Sequence, residues 1–430
     1  MDHTLQKLRI NVEATSREGA RNAANEVAGW CRSERFWAGL ATRLDDLLPG
    51  DRVVVIPKLE IHVAAENEMD FQRILAEKII ACLSDWPQAD PDDTPVTIES
   101  YLMAQAMQFL KYGYFPVGVP PVLAEKIKEL LIRWIAEADA HYWQELASLA
   151  SAEPQMLDRL IQHFGSTRVR SSIARWMREE SGIMVDTEVV ASFFLKKAGS
   201  TFADAGSMSA EERRFWRWFL RLKTKTNLQE EADLENAVSR EAPERAGRPE
   251  HTSKHRAVQP EQDVFFVENA GLVLLTPFLP QLFEALKWTE NNAWISENTM
   301  GLAVRLLDYI AHGTTKNWEN DWVLPKILCG MPVHEVVVQH VPLEPHVVLL
   351  ADELLEAVIA YWSALKTISP DRLREMFLRR QGKLTIIEDG PGWQLRVDRK
   401  AQDILLSRIP WGFGVTRLPW MQDMLFVDWA

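Results

Sequence analysis

The sequence predicts an α+β protein, predominantly α-helical, built of helical hairpins with small strand-containing units at both ends. Three observations carry this reading. Apolar residues recur at helical spacing through 96–223. Period-two alternation is confined to the first 65 residues and to 383–397. The apolar stretch 264–286 is cut by Pro277 and Pro280, whereas a bilayer span needs ~20 apolar residues in one run.

Leu8, Ile10 and Val12 alternate with polar residues, as do Leu59, Ile61 and Val63 in the strand predicted over 52–63. Helices are predicted over 17–31 and over 70–83, the second with Phe71, Ile74, Leu75 and Ile79 on one side. Residues 1–90 thus form a β-α-β-α unit by period and order. Over 91–223 the pattern is helical. A helix through 101–112 stops at Gly113, and one long helix runs over 122–149. Further helices follow near 154–164, 169–180 and 185–197, and Ser209 with Glu212 reads as a capping box for 210–223.

Over 224–262 apolar residues thin out, and Glu, Arg, Pro, Gln and Ser dominate. Such a segment buries too little surface to offset its ordering entropy and reads as a disordered linker. The C-terminal α+β domain, 263–430, opens on 264–286. Thr276 before Pro277 reads as an N-cap with proline at the first helical position. Phe278, Leu282, Phe283 and Leu286 then share one helical face. Helices are predicted over 300–310, over 347–365, and from Ser369-Pro370 to a stop at Gly382. LTII and WQLRV flank the turn residues Asp389 to Gly392 as a hairpin, a short helix covers 401–409, and a strand lies at 425–429.

A net charge of −13 argues against a general nucleic-acid binder, which shows a basic footprint. Cys31, Cys82 and Cys329 are odd in number and form no CxxC pair, which suits a reducing compartment. The start, MDHTLQKLRINVEA, has no apolar core of a secretory signal. Together these suggest a cytoplasmic protein. Seventeen tryptophans demand a packing or interface role.

Cys329, His334, His340 and His346 offer zinc-type donors, but their spacing fits no zinc motif, so ordinary histidines are expected. His251 and His255 lie in the linker. Trp411 to Gly414 is a lone GxG in a turn. In 210–223, Phe215, Trp218, Phe219 and Leu222 make an apolar face, and Arg214, Arg217 and Arg221 a basic one. From Arg213 to Lys223 such a helix can touch an anionic membrane weakly, or pack in a bundle with its arginines paired. Packing is the expectation. No GxSxG, P-loop, HExxH or GxGxxG is present, so no catalytic, cofactor or metal residues are assigned and the chain is read as a non-enzyme.

The C-terminal motifs run in order: VENAGLVLLTPFLPQLFEAL (267–286), KILCGMP (326–332), LLEAVIAYWSALKTISPDRLREMFLRRQGKL (354–384), GWQLRVDRKAQDILLSRIPWGFG (392–414) and RLPWM (417–421). Together they resemble the tape measure family of bacterial contractile injection systems, the phage-tail-like particles. FLKYGYFPVG (109–118) resembles that family's helix-ending Phe-Leu-x-x-Gly motif, without the usual Trp after proline. The resemblance implies a non-enzymatic structural component that sets tube length or accompanies tube and baseplate assembly. Its implied partners are inner tube and baseplate proteins, with no nucleic acid and no small-molecule substrate. Its place is cytoplasmic during assembly, with retention in the tube lumen. The alternative is a cytoplasmic chaperone or adaptor that leaves before the particle is finished. A literal helical ruler of this length would reach roughly 645 Å. Twenty-two prolines and strand-bearing ends oppose it, and the linker alone would reach ~130 Å when extended.

Overall fold

The computed structural model describes residues 17–30, parts of 37–81, 96–115, 119, 121–137, 140–181, 191–192, 195–196, 210–225, 264–315, 318–337, 342–365, 368–387 and 392–429. The chain forms two compact units, 1–105 with 118–127, and 106–117 with 128–430. In the first, helix α1 (Arg17–Trp30) falls where the sequence places it. Strands β1 (Arg52–Val53) and β2 (Val96–Thr97) pair antiparallel. The described residues of 70–81 are helical, and Phe71 and Leu75 form a small core with Val27, Trp37 and Ile79 against it. The strand expected at Leu8 to Val12 and most of that over 52–63, the region 224–262 beyond Lys225, and the capping residue Ser209 lie outside the described residues.

Helix α2 (Ile98–Tyr112) ends at Gly113, whose N–H reaches the Phe109 carbonyl at 2.7 Å with φ at 80°. The single helix expected over 122–149 is instead two, α3 (Pro121–Glu137) and α4 (Ala140–Ala152). Unbroken amphipathic spacing does not reveal such a break, because both halves keep their apolar faces. Helices α5 (Pro154–Phe164), α6 (Ser166–Ser181) and α7 (Ala210–Lys225) follow. On α7 the buried face is Phe215, Trp216, Phe219 and Leu220, with Trp218 only half-buried, so it lies to one side of the expected one. Glu212 explains the rotation. It is buried between the Trp216 indole, which donates to it at 3.4 Å, and Arg170 at 3.5 Å, and carries that side of the helix inward.

The C-terminal part is organised around 264–286, but not as a turn and helix alone. Strand β3 (Val264–Val267) comes first, then a 3-10 run Ala270–Phe278, then α8 (Leu279–Ala285). Thr276 is not the N-cap. Its hydroxyl turns back to the Val273 carbonyl at 2.8 Å and meets the Thr416 hydroxyl at 3.0 Å. The helix starts later, with Pro280 in its first turn, where a missing N–H costs least. Leu279, Leu282, Phe283 and Leu286 are buried, and Phe278 is only half-buried.

A small pair, β4 (Thr289–Glu290) with β5 (Ala293–Trp294), precedes α9 (Glu297–His312). Ser296 and Thr299 cap α9 reciprocally, and left-handed Gly313 closes it. Then come α10 (Val323–Leu328), α11 (Pro345–Tyr361) and α12 (Pro370–Leu373). Ser369 caps α12 as expected, but the helix widens into a π turn, Arg374–Leu378, and stops there. Gly382 does not end a helix. It begins β6 (Gly382–Ile386), which pairs with β7 (Gly392–Val397) in the expected hairpin. Strands β8 (Val415–Thr416) and β9 (Met424–Asp428) complete a mixed sheet in the order β3-β6-β7-β9-β8, with β7 and β9 parallel. Phe265, Val267, Leu384, Leu395 and Leu425 face its core.

Candidate functional site

Two of the motif stretches, 109–118 and 326–332, meet at a buried ion network. Glu319 opens a 3-10 turn, Glu319–Trp322, and its carboxylate is wholly inaccessible. Arg159 on α5 donates to it at 2.9 Å from Nε and 3.3 Å from Nη2, and Lys326 on α10 at 2.6 Å. Arg159 also donates to the Leu110 and Lys111 carbonyls at the end of α2, at 2.5 and 2.9 Å, and to the His334 carbonyl at 2.7 Å. Lys326 takes the Val333 carbonyl at 2.9 Å. A helix end leaves its last carbonyls without partners, and here one guanidinium satisfies two of them.

Burial alone would push the Glu319 carboxyl up, but the charges of Arg159 and Lys326 hold it well below the ordinary carboxylate range. Burial lowers Lys326 despite its contact with Glu319. His163 lies 3.8 Å from Glu319, stacked on Trp318 at 4.7 Å between centroids, and burial lowers it as well. Gly113 belongs to the same site. A Cβ on it would come 2.6 Å from Glu319 Oε1, and its φ of +80° disfavours any side chain. Gly113→Ala therefore loses on both counts, and a fall in thermal midpoint of several degrees is the expected result.

Two other motif glycines, Gly271 and Gly330, are also points of close backbone approach. A Cβ on Gly271 would overlap the Phe377 carbonyl, and one on Gly330 would meet the Trp420 carbonyl at 2.5 Å. The tryptophans answer the question raised by their number. Trp420 and Trp294 donate to Leu328 and Cys329, the loose carbonyls at the end of α10, and Trp411 donates to Leu274. Behind the sheet, buried Arg380 holds Asp403 in a two-pronged pair at 2.6 and 2.8 Å, and the Trp429 indole joins the same carboxylate at 3.2 Å.

Cys329 is buried, and burial raises its thiol well above the ordinary value. His334 enters the network through its carbonyl, and His346 is exposed beside Glu344 at 3.2 Å. His340, His251 and His255 lie outside the described residues. Among the described residues no three His, Cys, Asp or Glu side chains group as a metal site would require. Among them, too, no helix is long and apolar enough to cross a membrane. On α7, Arg213 pairs with Asp158 at 3.3 Å, while the side chains of Arg221 and Leu222 lie outside the described set. The arrangement fastens segments together. Sequence reasoning missed Arg159 and Glu319, because a charged residue on a helical face carries no mark of the partner 160 positions away.

A second, partly buried cluster shapes the pH response together with His163. Burial raises Asp321 to about 6, with Asp308 and Glu268 adding to the rise and Lys128 and His312 opposing it. A raised carboxyl contributes stability below its unfolded value and loses it as pH rises through about 6. The lowered His163 contributes above 6.5 and loses stability as pH falls below that. Asp321→Asn should flatten the stability profile between pH 4 and 6, and His163→Phe the loss just below 6.5, as urea midpoints across pH 4.5–8 will register.

Residues 2–429 match the family model described as contractile injection system tape measure protein. No curated protein and no solved structure matches the chain.

Proposed function

Since the chain belongs to the contractile injection system tape measure protein family, we propose that it works as a folded assembly factor and not as an extended ruler. Its structural or assembly role in such a particle follows from the family. The observation that supports the folded form is the network around Glu319, which joins α2, α5 and α10 through charges inaccessible to water. Threading the chain through a tube would separate these charges and expose the core around 264–286. Its partners in this reading are inner tube and baseplate proteins, met in the cytoplasm during assembly, with the chain retained in the tube lumen. The role is non-enzymatic.

Gene deletion should abolish particles or leave tubes of irregular length in negative-stain micrographs. Normal particles would sink the assembly role itself. Insertions into 224–262 separate factor from ruler, because doubling a flexible loop costs only ~0.6 kcal/mol and spares folding. Tube length should not change with insert length. Growth by ~1.5–3.4 Å per inserted residue would restore the ruler.

A further inference from the structure

The sheet has two edges, and they are built differently. Strand β8 is two residues long and runs into Arg417 and Pro419, so it offers almost nothing to pair with. Short, charged or proline-bearing edges are the usual protection against unwanted pairing. Strand β3, VFFV, is twice as long, and although Asp263 and Glu268 flank it in the sequence, its four residues carry neither charge nor proline.

The hydrogen-bond phase identifies which groups β3 leaves open. Ile387 N–H donates to the Gly392 carbonyl, and Asp398 N–H to the Gln381 carbonyl. The odd-numbered residues of β6 therefore turn their backbone groups to β7, and the even-numbered ones to β3. The Ala270 N–H, donating to the Arg380 carbonyl, obeys the same phase. Gly382 and Leu384 are registered with Val267 and Phe265, so those two residues spend their backbone groups inside the sheet. Val264 and Phe266 point theirs outward, and no described strand lies on that side. The Phe266 side chain is 54% exposed on the face opposite the core.

We propose that β3 is a docking edge for an extended segment of a partner protein, one with apolar side chains at alternate positions that adds a sixth strand. Main-chain bonds to Val264 and Phe266 would hold it, and Phe266 would pack beside its outward side chains. The size of the edge argues for a single strand over a second copy of this chain. Four residues span ~14 Å and bury a few hundred Å², below the ~1,000 Å² that a stable pair of folded proteins needs. The proposal rests on the folded-factor reading, since the edge exists only while the sheet does.

Replacing the gene with full-length variants tests it. Phe266→Pro removes an outward N–H that makes no bond within the sheet, a place where an edge strand tolerates proline. Phe266→Asp leaves the N–H and puts a charge on the edge, and Phe266→Ala removes only the ring. Purified Phe266→Pro and Phe266→Asp should melt within a few degrees of the parent, while particle yield in micrographs falls about tenfold. Phe266→Ala should assemble far better than either. Normal yield from folded Phe266→Pro and Phe266→Asp overturns the proposal, even where gene deletion abolishes particles and the assembly role stands. Should Phe266→Pro fail to fold, Phe266→Asp decides alone. Unfolding of Phe266→Asp would also overturn it, because the position would then be paired internally. An equal loss with Phe266→Ala would assign the contact to the ring and not to the edge. A parent dimer that Phe266→Pro makes monomeric would give the edge to a second copy, against the proposal.

Discussion

Replacing Glu319 by Gln should unfold the C-terminal unit at markedly lower denaturant. The change leaves Arg159 and Lys326 buried, two positive charges without the carboxylate that both pair with. Removing one partner of a buried pair typically costs ~3–5 kcal/mol, because the other charge stays out of water. That is a large share of the roughly 5–15 kcal/mol by which domains are stable. Urea titrations followed by tryptophan fluorescence will report it, since Trp318 stacks on His163 beside the carboxylate. The contrast is Arg372→Ala. Arg372 pairs with Glu375 where both side chains are more than half exposed, and the loss there should be near zero. Equal effects at the two sites would mean that the network around Glu319 is not closed to water.

Phe283→Ala should cost nearly as much, by a different route. The ring is wholly buried among Trp288, Trp294 and Trp420, at centroid distances of 6.2, 5.2 and 5.5 Å. Emptying such a site typically costs ~3–5 kcal/mol, since stiff indoles cannot collapse into the space. The effect reaches further than the cavity. Trp294 and Trp420 hold the Cys329 and Leu328 carbonyls, so the end of α10 loses its fastening and Lys326 its setting. Phe278→Ala should cost less than half as much, because Phe278 is half-buried and meets Trp411 edge-on at 4.9 Å. Thermal unfolding of the two purified variants, with particle yield from the same strains, checks the order. Equal losses would show that burial around α8 is not what holds the domain.

Helices whose apolar spacing and caps agree could be read from the chain alone. Gly113 and Ser369 mark ends where backbone chemistry leaves few choices, and they stand where the sequence places them. The hairpin β6–β7 was legible too, because alternation and a glycine turn act over ten residues. Strand β3 was not. VFFV has no alternation of its own, and it becomes a strand only because β6, more than a hundred residues later, supplies its hydrogen bonds. The same holds for the parallel pairing of β7 with β9 and for the displaced start of α8.

The sequence by itself determined the class, the order of most helices and the family, because periodicity, caps and motif order are local properties. Only the tertiary structure decided that Arg159, Glu319 and Lys326 share one buried site, and which two amides of β3 face outward. Both depend on register and burial. A charge pairs with whatever the fold brings within ~3 Å, and an amide points wherever its neighbour's phase leaves it, and neither is encoded within a single turn or strand.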